Sequence, residues 1–594
     1  MKFIYLASLL LLSNNIFAEE LNISTTSGIS QGFLINGVAN WDDIPYAQPP
    51  VGDLRWKAPR EIFESNKLLA PRINNFCIQK PSGMGGSELD GDEFFSGSED
   101  CLYLDIKAPK SKANNLLPVM FWIHGGGNTS GLKDIYDFSK MVKKHNVIVV
   151  TINYRLGPFG WFTHPSIQTL QDDDDKSSNF GTLDIIAALK WVKSNISLFG
   201  GDSDNVTIFG ESAGGHNVLS LLVSQKAEGL FHKAISQSGY TTSIPAKKAY
   251  RQDTPSPTSE HTSWKIVNKV LEKAKLPSQN DLSNIEIRKT LKELDARDFF
   301  INYSDRPSYQ EIPLLTGDGI VIPLDGLKKT LSNKDHVNIV PTIAGSNKDE
   351  VKLWLASAEY FVVLEYSFFG SILGVPRVVL KDEKAFELFN SYRSKAWKIR
   401  GVDNPLRSLA YAGNNNLYAY RYDWDDHRKW PVANFKKLIG AAHATEIPLL
   451  AGNNKLVGDY GFLIYPKGPS KSFLSKNMMN FWANFAKTGK PGISSNKQEW
   501  IKYNGLNMID SNFMILDDRN NLKMDKDQNS FKSLVNDLFY EEDITDLEKC
   551  VVLLQMLTFV GDDLYDDYID FYPGQCSRGD AENFLRENAS FIDY

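Results

Sequence analysis

The hydrophobic positions of this chain fall into two kinds of run. Short stretches rich in β-branched residues are apolar almost throughout: "LPVMFWIHG" (117–125), "NVIVVTINY" (146–154) and "NVTIFGE" (205–211). A strand apolar on consecutive residues buries both faces, as happens in a parallel sheet covered by helices on either side. Between such runs lie longer ones with apolar residues three and four apart. In "LDIIAALKWVKSNISLF" (183–199) that spacing predicts a helix with one face packed on the sheet. The alternation runs from about Leu21 to Tyr503 without an internal repeat, and predicts an α/β fold with a central, mostly parallel sheet flanked by helices, with large insertions. The polar stretch "KKAYRQDTPSPTSEHTS" (247–263) reads as a loop or insertion, and "QDDDDK" (171–176) as a solvated loop. Beyond about Asp510 the pattern thins before a helical tail, so the chain divides into a domain over 19–535 and a C-terminal extension over 536–594.

Composition narrows the class. The 594 residues are 42% hydrophobic, enough for a large core, and carry a net charge of −7 with both signs interspersed. No basic stripe fits nucleic acid. The first eighteen residues, "MKFIYLASLLLLSNNIFA", combine Lys2, an apolar run from Phe3 to Leu12, and the small residue Ala18. They read as a signal peptide cleaved near Ala18, too short to span a bilayer, so the mature chain is expected to be exported, secreted or periplasmic. The longest later apolar run, "CVVLLQMLTFV" (550–560), reads as a buried helix, and no membrane span is expected. Four cysteines, Cys77, Cys101, Cys550 and Cys576, suit an oxidising compartment. Four cysteines allow three pairings, of which nearness in sequence favours Cys77–Cys101 and Cys550–Cys576. No cysteine or histidine pattern has zinc-ligand spacing, and no metal or organic cofactor is expected.

The chemistry concentrates at "VTIFGESAGGHNVLSLL" (206–222), where an apolar strand turns through Gly210-Glu211-Ser212-Ala213-Gly214 into a run expected to be helical from His216. Gly-x-Ser-x-Gly at a strand-to-helix turn is a nucleophile elbow: the turn holds Ser212 above the sheet, and side chains at Gly210 or Gly214 would collide with neighbouring backbone. A serine hydroxyl needs a base, an orienting acid and donors for developing negative charge. "WIHGGGNTSG" (122–131) follows a strand, and its glycines let the N–H groups of Gly126 and Gly127, with that of Ala213, form an oxyanion hole. His124 and His216 flank these motifs and read as structural. Glu211 reads as supporting the site from behind, because neighbours on an elbow point apart.

Several long stretches resemble the type-B carboxylesterase/lipase family, cholinesterase-like members of the α/β-hydrolase fold. They are "IPYAQPPVGDLRWKAP" (44–59), "SEDCLYLDI" (98–106), "NYRLGPFGWF" (153–162), "NFGTLDIIAALKWVKSNISLFGGDSDNVTIFGESAGG" (179–215), "FHKAISQSG" (231–239) and "FWANFAKTGKP" (481–491). The resemblance covers roughly residues 25–505. It implies that Glu350, in "AGSNKDE" (344–350), is the acid of a triad and that His443, in "GAAHATEIPLL" (440–450), is its base. The chain order Ser212, Glu350, His443 is the one this fold uses. It also implies the Cys77–Cys101 bridge. The chain departs from the family at Asn128, where an aromatic commonly follows the glycines, at Val351 and Ala444, which replace glycines, and at Ile185, which replaces a glutamine.

The resemblance implies a serine esterase acting on small-molecule carboxylic esters through an acyl-enzyme. Alternatives are a lipase on longer acyl chains, an amidase or carbamate hydrolase, and, most remotely, a non-enzymatic adhesion ectodomain. The loop from Cys77 to Cys101 contains Phe94 and Phe95 but no tryptophan to stack on a quaternary ammonium, which argues against acetylcholine.

Overall fold

A computed structural model describes residues 21–70, 75–83, 86, 92–110, 115–251, 261–303, 315–366, 376–458, 461–504, 506, 511–559, 562–568, 574 and 576–588. The expected signal peptide lies outside these residues. Twelve strands form one sheet: β1 (Leu21–Thr25), β2 (Gly28–Ile35), β3 (Val38–Pro45), β4 (Tyr103–Pro109), β5 (Leu117–Ile123), β6 (Ile148–Ile152), β7 (Gly201–Glu211), β8 (Lys233–Gln237), β9 (Thr342–Asn347), β10 (Leu417–Tyr422), β11 (Ser511–Leu516) and β12 (Lys523–Asp527). Their spatial order is β1-β2-β3-β4-β6-β5-β7-β8-β9-β10-β11-β12. From β6 to β11 neighbours run parallel, and antiparallel strands close both edges.

The apolar runs behave as a two-faced sheet requires. Val119, Phe121 and Ile123 of β5 belong to one hydrophobic cluster, while Met120 and Trp122 belong to another across the sheet. The first face is covered by α1 (Phe180–Asn195) and α2 (Ala213–Val223), the second by α4 (Pro469–Thr488), while α3 (Glu383–Lys398) packs in a third cluster. α1 begins three residues before the apolar run read from the sequence, behind the buried Arg155–Asp184 pair (2.7 Å). Asp184 also accepts the backbone N–H of Arg155, tying the helix start to the loop after β6. Ile185 is fully buried in the first cluster.

Sequence order reverses at β5, which lies between β6 and β7, and in open α/β sheets ligands bind beyond the carboxyl ends of strands at such a switch. The glycine loop follows β5, the elbow follows β7, and Glu350 and His443 follow β9 and β10. Pairings of Ile123 with Gly210, Glu211 with Gln237 and Asn347 with Tyr422 align these strand ends. Four segments distant in sequence therefore converge on one edge.

Both disulfides form, Cys77–Cys101 with Sγ–Sγ 1.97 Å and Cys550–Cys576 with 2.10 Å. The expected boundary at residues 535/536 falls inside a helix, α5 (Phe531–Phe539). α6 (Asp546–Leu557) and α7 (Arg578–Glu587) complete the described part of the extension. Among the described residues, no helix is long and apolar enough to cross a membrane.

Candidate active site

Ser212 follows β7 with φ 59° and ψ −123°, a left-handed conformation for a residue with a Cβ. Such backbone costs about 1–3 kcal/mol and persists only where its surroundings enforce it. Here they do. A Cβ on Gly210 would stand 2.6 Å from the Gly214 carbonyl carbon, and one on Gly214 would stand 2.0 Å from the Ile123 carbonyl oxygen. The Ser212 N–H donates to Gln237 O of β8 (2.8 Å), and α2 starts at once, at Ala213 rather than His216. Glu211 is buried, whereas Ser212 is partly exposed.

The loop after β5 lies against this turn: a Cβ on Gly125 would meet Ser212 Cβ at 3.1 Å. Gly126 (φ 100°) and Gly127 (φ 62°) are left-handed and partly exposed. Asn128, the departure from the usual aromatic, is also left-handed (φ 58°), and its Oδ1 accepts from Asn217 Nδ2 of α2 (2.8 Å). The polar side chain thus ties the glycine loop to the elbow helix. His124 is buried, packs on Tyr154 with ring centroids 4.5 Å apart, and burial pulls its imidazole down to about 4. His216 stacks on Tyr240 (4.4 Å), its Nε2 donates to Thr242 O (2.8 Å), and burial likewise brings it to about 4. Both are neutral at pH 7 and serve the scaffold.

Glu350 and His443 meet. His443 Nδ1 lies 2.6 Å from Glu350 Oε2, and Glu350 Oε1 accepts the Asn347 N–H at 2.7 Å. The opposite ring nitrogen, Nε2, faces Glu211 Oε1 at 3.1 Å. Among the described residues His443 makes no hydrogen bond to Ser212 Oγ; catalytic contacts of this kind often tighten only with substrate bound. Glu211, expected to support the site from behind, borders the imidazole.

Electrostatics follow from this crowding. Burial disfavours charge on His443, but Glu211 and then Glu350 outweigh it and raise its pKa to about 9. Burial pushes Glu211 up to about 8. A third carboxyl, Glu446, is raised by burial and sits in a neutral cradle, accepting from Asn347 Nδ2 (2.8 Å) and Gln237 Nε2 (3.0 Å). Trp354 and Trp397 pack on the imidazole with centroids 5.1 and 4.8 Å away. Sequence reasoning missed Glu446 and both tryptophans. An acid three residues after His443, in a mostly apolar stretch, was the one available signal for Glu446.

The acidic run at 171–176 is pinned at the surface, with Asp174 to Lys226 and Asp175 to Arg60, each at 2.6 Å.

A sheet of this order, with a strained serine after one strand and a His–carboxylate pair after two others, defines an α/β-hydrolase. The chain belongs to the carboxylesterase family, whose model matches residues 19–366 and 383–533. It is 35% identical over 500 residues to the para-nitrobenzyl esterase of Bacillus subtilis (strain 168), covering 81% of this chain and 92% of that one. To the liver carboxylesterase 1F of Rattus norvegicus it is 30% identical over 511 residues, covering 79% and 86%. A solved PNB esterase structure superposes with TM-score 0.63 at 29% identity, covering 86% of this chain and 98% of that one. The protein is a carboxylic ester hydrolase.

Proposed function

We propose that ester hydrolysis runs through a Ser212–His443–Glu350 triad with an acyl-enzyme intermediate. The observation that carries this reading is the strained Ser212 next to Glu211, whose carboxylate lies 3.1 Å from the imidazole that Glu350 orients. In the reactive state His443 is neutral, with its proton on Nδ1 toward Glu350. Ser212 Oγ attacks the ester carbonyl carbon while Nε2 accepts the hydroxyl proton. The N–H groups of Gly126, Gly127 and Ala213 hold the oxyanion, each good donor being worth about 3–4 kcal/mol of barrier. The tetrahedral species collapses as the imidazolium gives its proton to the departing alkoxide, leaving Ser212 acylated. Water then repeats the cycle, passing one proton to Nε2 and releasing the carboxylic acid.

The substrates proposed are small carboxylic esters, in keeping with relatives named para-nitrobenzyl esterase and liver carboxylesterase. Export is part of the proposal: the family match begins at residue 19, leaving the apolar leader outside the domain, and disulfides persist in oxidising compartments.

The test is Ser212→Ala with a fluorophosphonate probe. The parent should be labelled on the Ser212 peptide, and the variant should lose labelling and fall about 10³-fold or more in kcat. Full labelling or near-parent turnover in the variant would remove Ser212 from the mechanism.

A further inference from the structure

We propose that the C-terminal extension forms part of the wall of the ester site, with Phe559 as the positioning residue that holds Trp397 against His443. The proposal rests on the triad reading above. The family match ends at residue 533, so the extension is an addition to the catalytic domain. It is not draped over the surface. From Cys550 to Leu557 every residue of α6 is buried, as an all-round apolar helix demands. Its cluster contains Val351, the residue after Glu350, together with Trp397 and Tyr240. The extension and the triad loops share one core.

The chain leaves α6 through a two-residue strand, Thr558–Phe559, paired with Asp562–Asp563. The Phe559 ring meets Trp397 edge-on with centroids 4.5 Å apart, and meets Tyr240 at 5.6 Å. Trp397 in turn lies 4.8 Å from the His443 imidazole, and Tyr240 stacks on His216 of the helix that follows Ser212. One phenyl ring therefore braces aromatics on both the base side and the nucleophile side. Trp397 is held from its other end, where Nε1 donates to Ser238 O at 3.1 Å.

The brace is itself anchored. Arg400, three residues beyond Trp397, pairs with Asp562 at 2.5 Å and donates to Met556 O at 2.7 Å. Arg578 of α7 pairs with Asp563 at 2.8 Å, and Cys550–Cys576 ties α6 to the start of α7. These contacts fix the short strand pair that carries Phe559. Without its ring, the space behind Trp397 lets the indole retreat from His443, and the room beside the reacting carbonyl grows. By this route an element absent from the family match sets which ester groups fit.

The experiment uses the full chain carrying Phe559→Ala, the milder Phe559→Leu, or Phe584→Ala. Phe584 packs on Tyr360 (5.5 Å) elsewhere in the extension and controls for loosening it generally. kcat and KM are measured for p-nitrophenyl esters from acetyl to decanoyl, alongside fluorophosphonate labelling of Ser212. For Phe559→Ala the octanoyl-to-acetyl ratio of kcat/KM should rise about tenfold, mainly through KM, with Phe559→Leu in between. Phe584→Ala should keep the parent ratio. A uniform loss across the series in both Phe559 variants, or an equal change in Phe584→Ala, would overturn the wall proposal while normal labelling leaves the triad standing. Failure to label Ser212 in the parent would overturn the triad and the wall together.

Discussion

Replacing Glu211 by Gln tests the electrostatics of the site most directly. The side chain keeps its shape and loses its charge. In the proposed mechanism His443 Nε2 accepts the serine proton, and it lies 3.1 Å from Glu211 Oε1. Burial alone would pull the imidazole below its ordinary 6.5, yet the carboxylates lift it to about 9, Glu211 being the largest upward contribution. A protonated Nε2 accepts nothing, so kcat/KM should climb with pH as His443 deprotonates. Two unit charges 3.1 Å apart attract by about 1.3–2.7 kcal/mol at effective dielectric constants of about 80 to 40, or about 1–2 pKa units. The ascending limb of kcat/KM for phenyl acetate, followed by pH-stat, should therefore move about 1–2 pH units lower in Glu211→Gln. Glu211→Asp, which keeps the charge but withdraws it, should move the limb less. Because Glu211 itself is pushed up to about 8, the limb reports the pair, and its midpoint rather than its height is the quantity to read. A midpoint unmoved in Glu211→Gln would mean that His443 is not the base or that the carboxylate does not face it in solution.

Two further predictions concern the scaffold. Ala444, where the family usually has glycine, is left-handed at φ 63°. An L side chain there costs about 1–2 kcal/mol, of which glycine's extra unfolded-state freedom takes back part, so Ala444→Gly should stabilise by about 0.5–1 kcal/mol and raise the calorimetric Tm. A lower Tm would show that the Cβ contributes packing that outweighs the strain. His427 is buried, donates to Gly440 O at 2.8 Å, and is pulled by burial from 6.5 to about 4. A base with a depressed folded pKa contributes stability that is complete above pH 6.5 and lost as pH falls toward 4. Linkage puts the loss between pH 7 and pH 5 at about 2 kcal/mol. His427→Gln, which does not titrate, should show a smaller drop in Tm over that interval, and a drop equal to the parent's would refute the assignment.

What the sequence disclosed tracks how local each feature is. The elbow was legible because its determinants lie within five residues: Gly210 and Gly214 are required by clashes with Ile123 and with each other, and Ser212 by its place between them. The α/β class and the strands were legible because consecutive residues such as Phe121 and Trp122 must both be apolar when they enter separate clusters. The partners in the proposed triad were not local. Glu350 and His443 come together only because β9 pairs with β10 in register, Asn347 beside Tyr422, and only the family resemblance picked His443 from nine histidines. The closeness of Glu211 to the imidazole, 3.1 Å, was likewise not legible, because it depends on where His443 arrives from another strand. The extension shows the limit most plainly. "CVVLLQMLTFV" announced a helix that needed enclosure, but apolarity states a need for a partner without naming one. The partner is the core behind Glu350 and Trp397, so a segment read as a C-terminal extension reaches the His443 imidazole through one intervening side chain, Trp397.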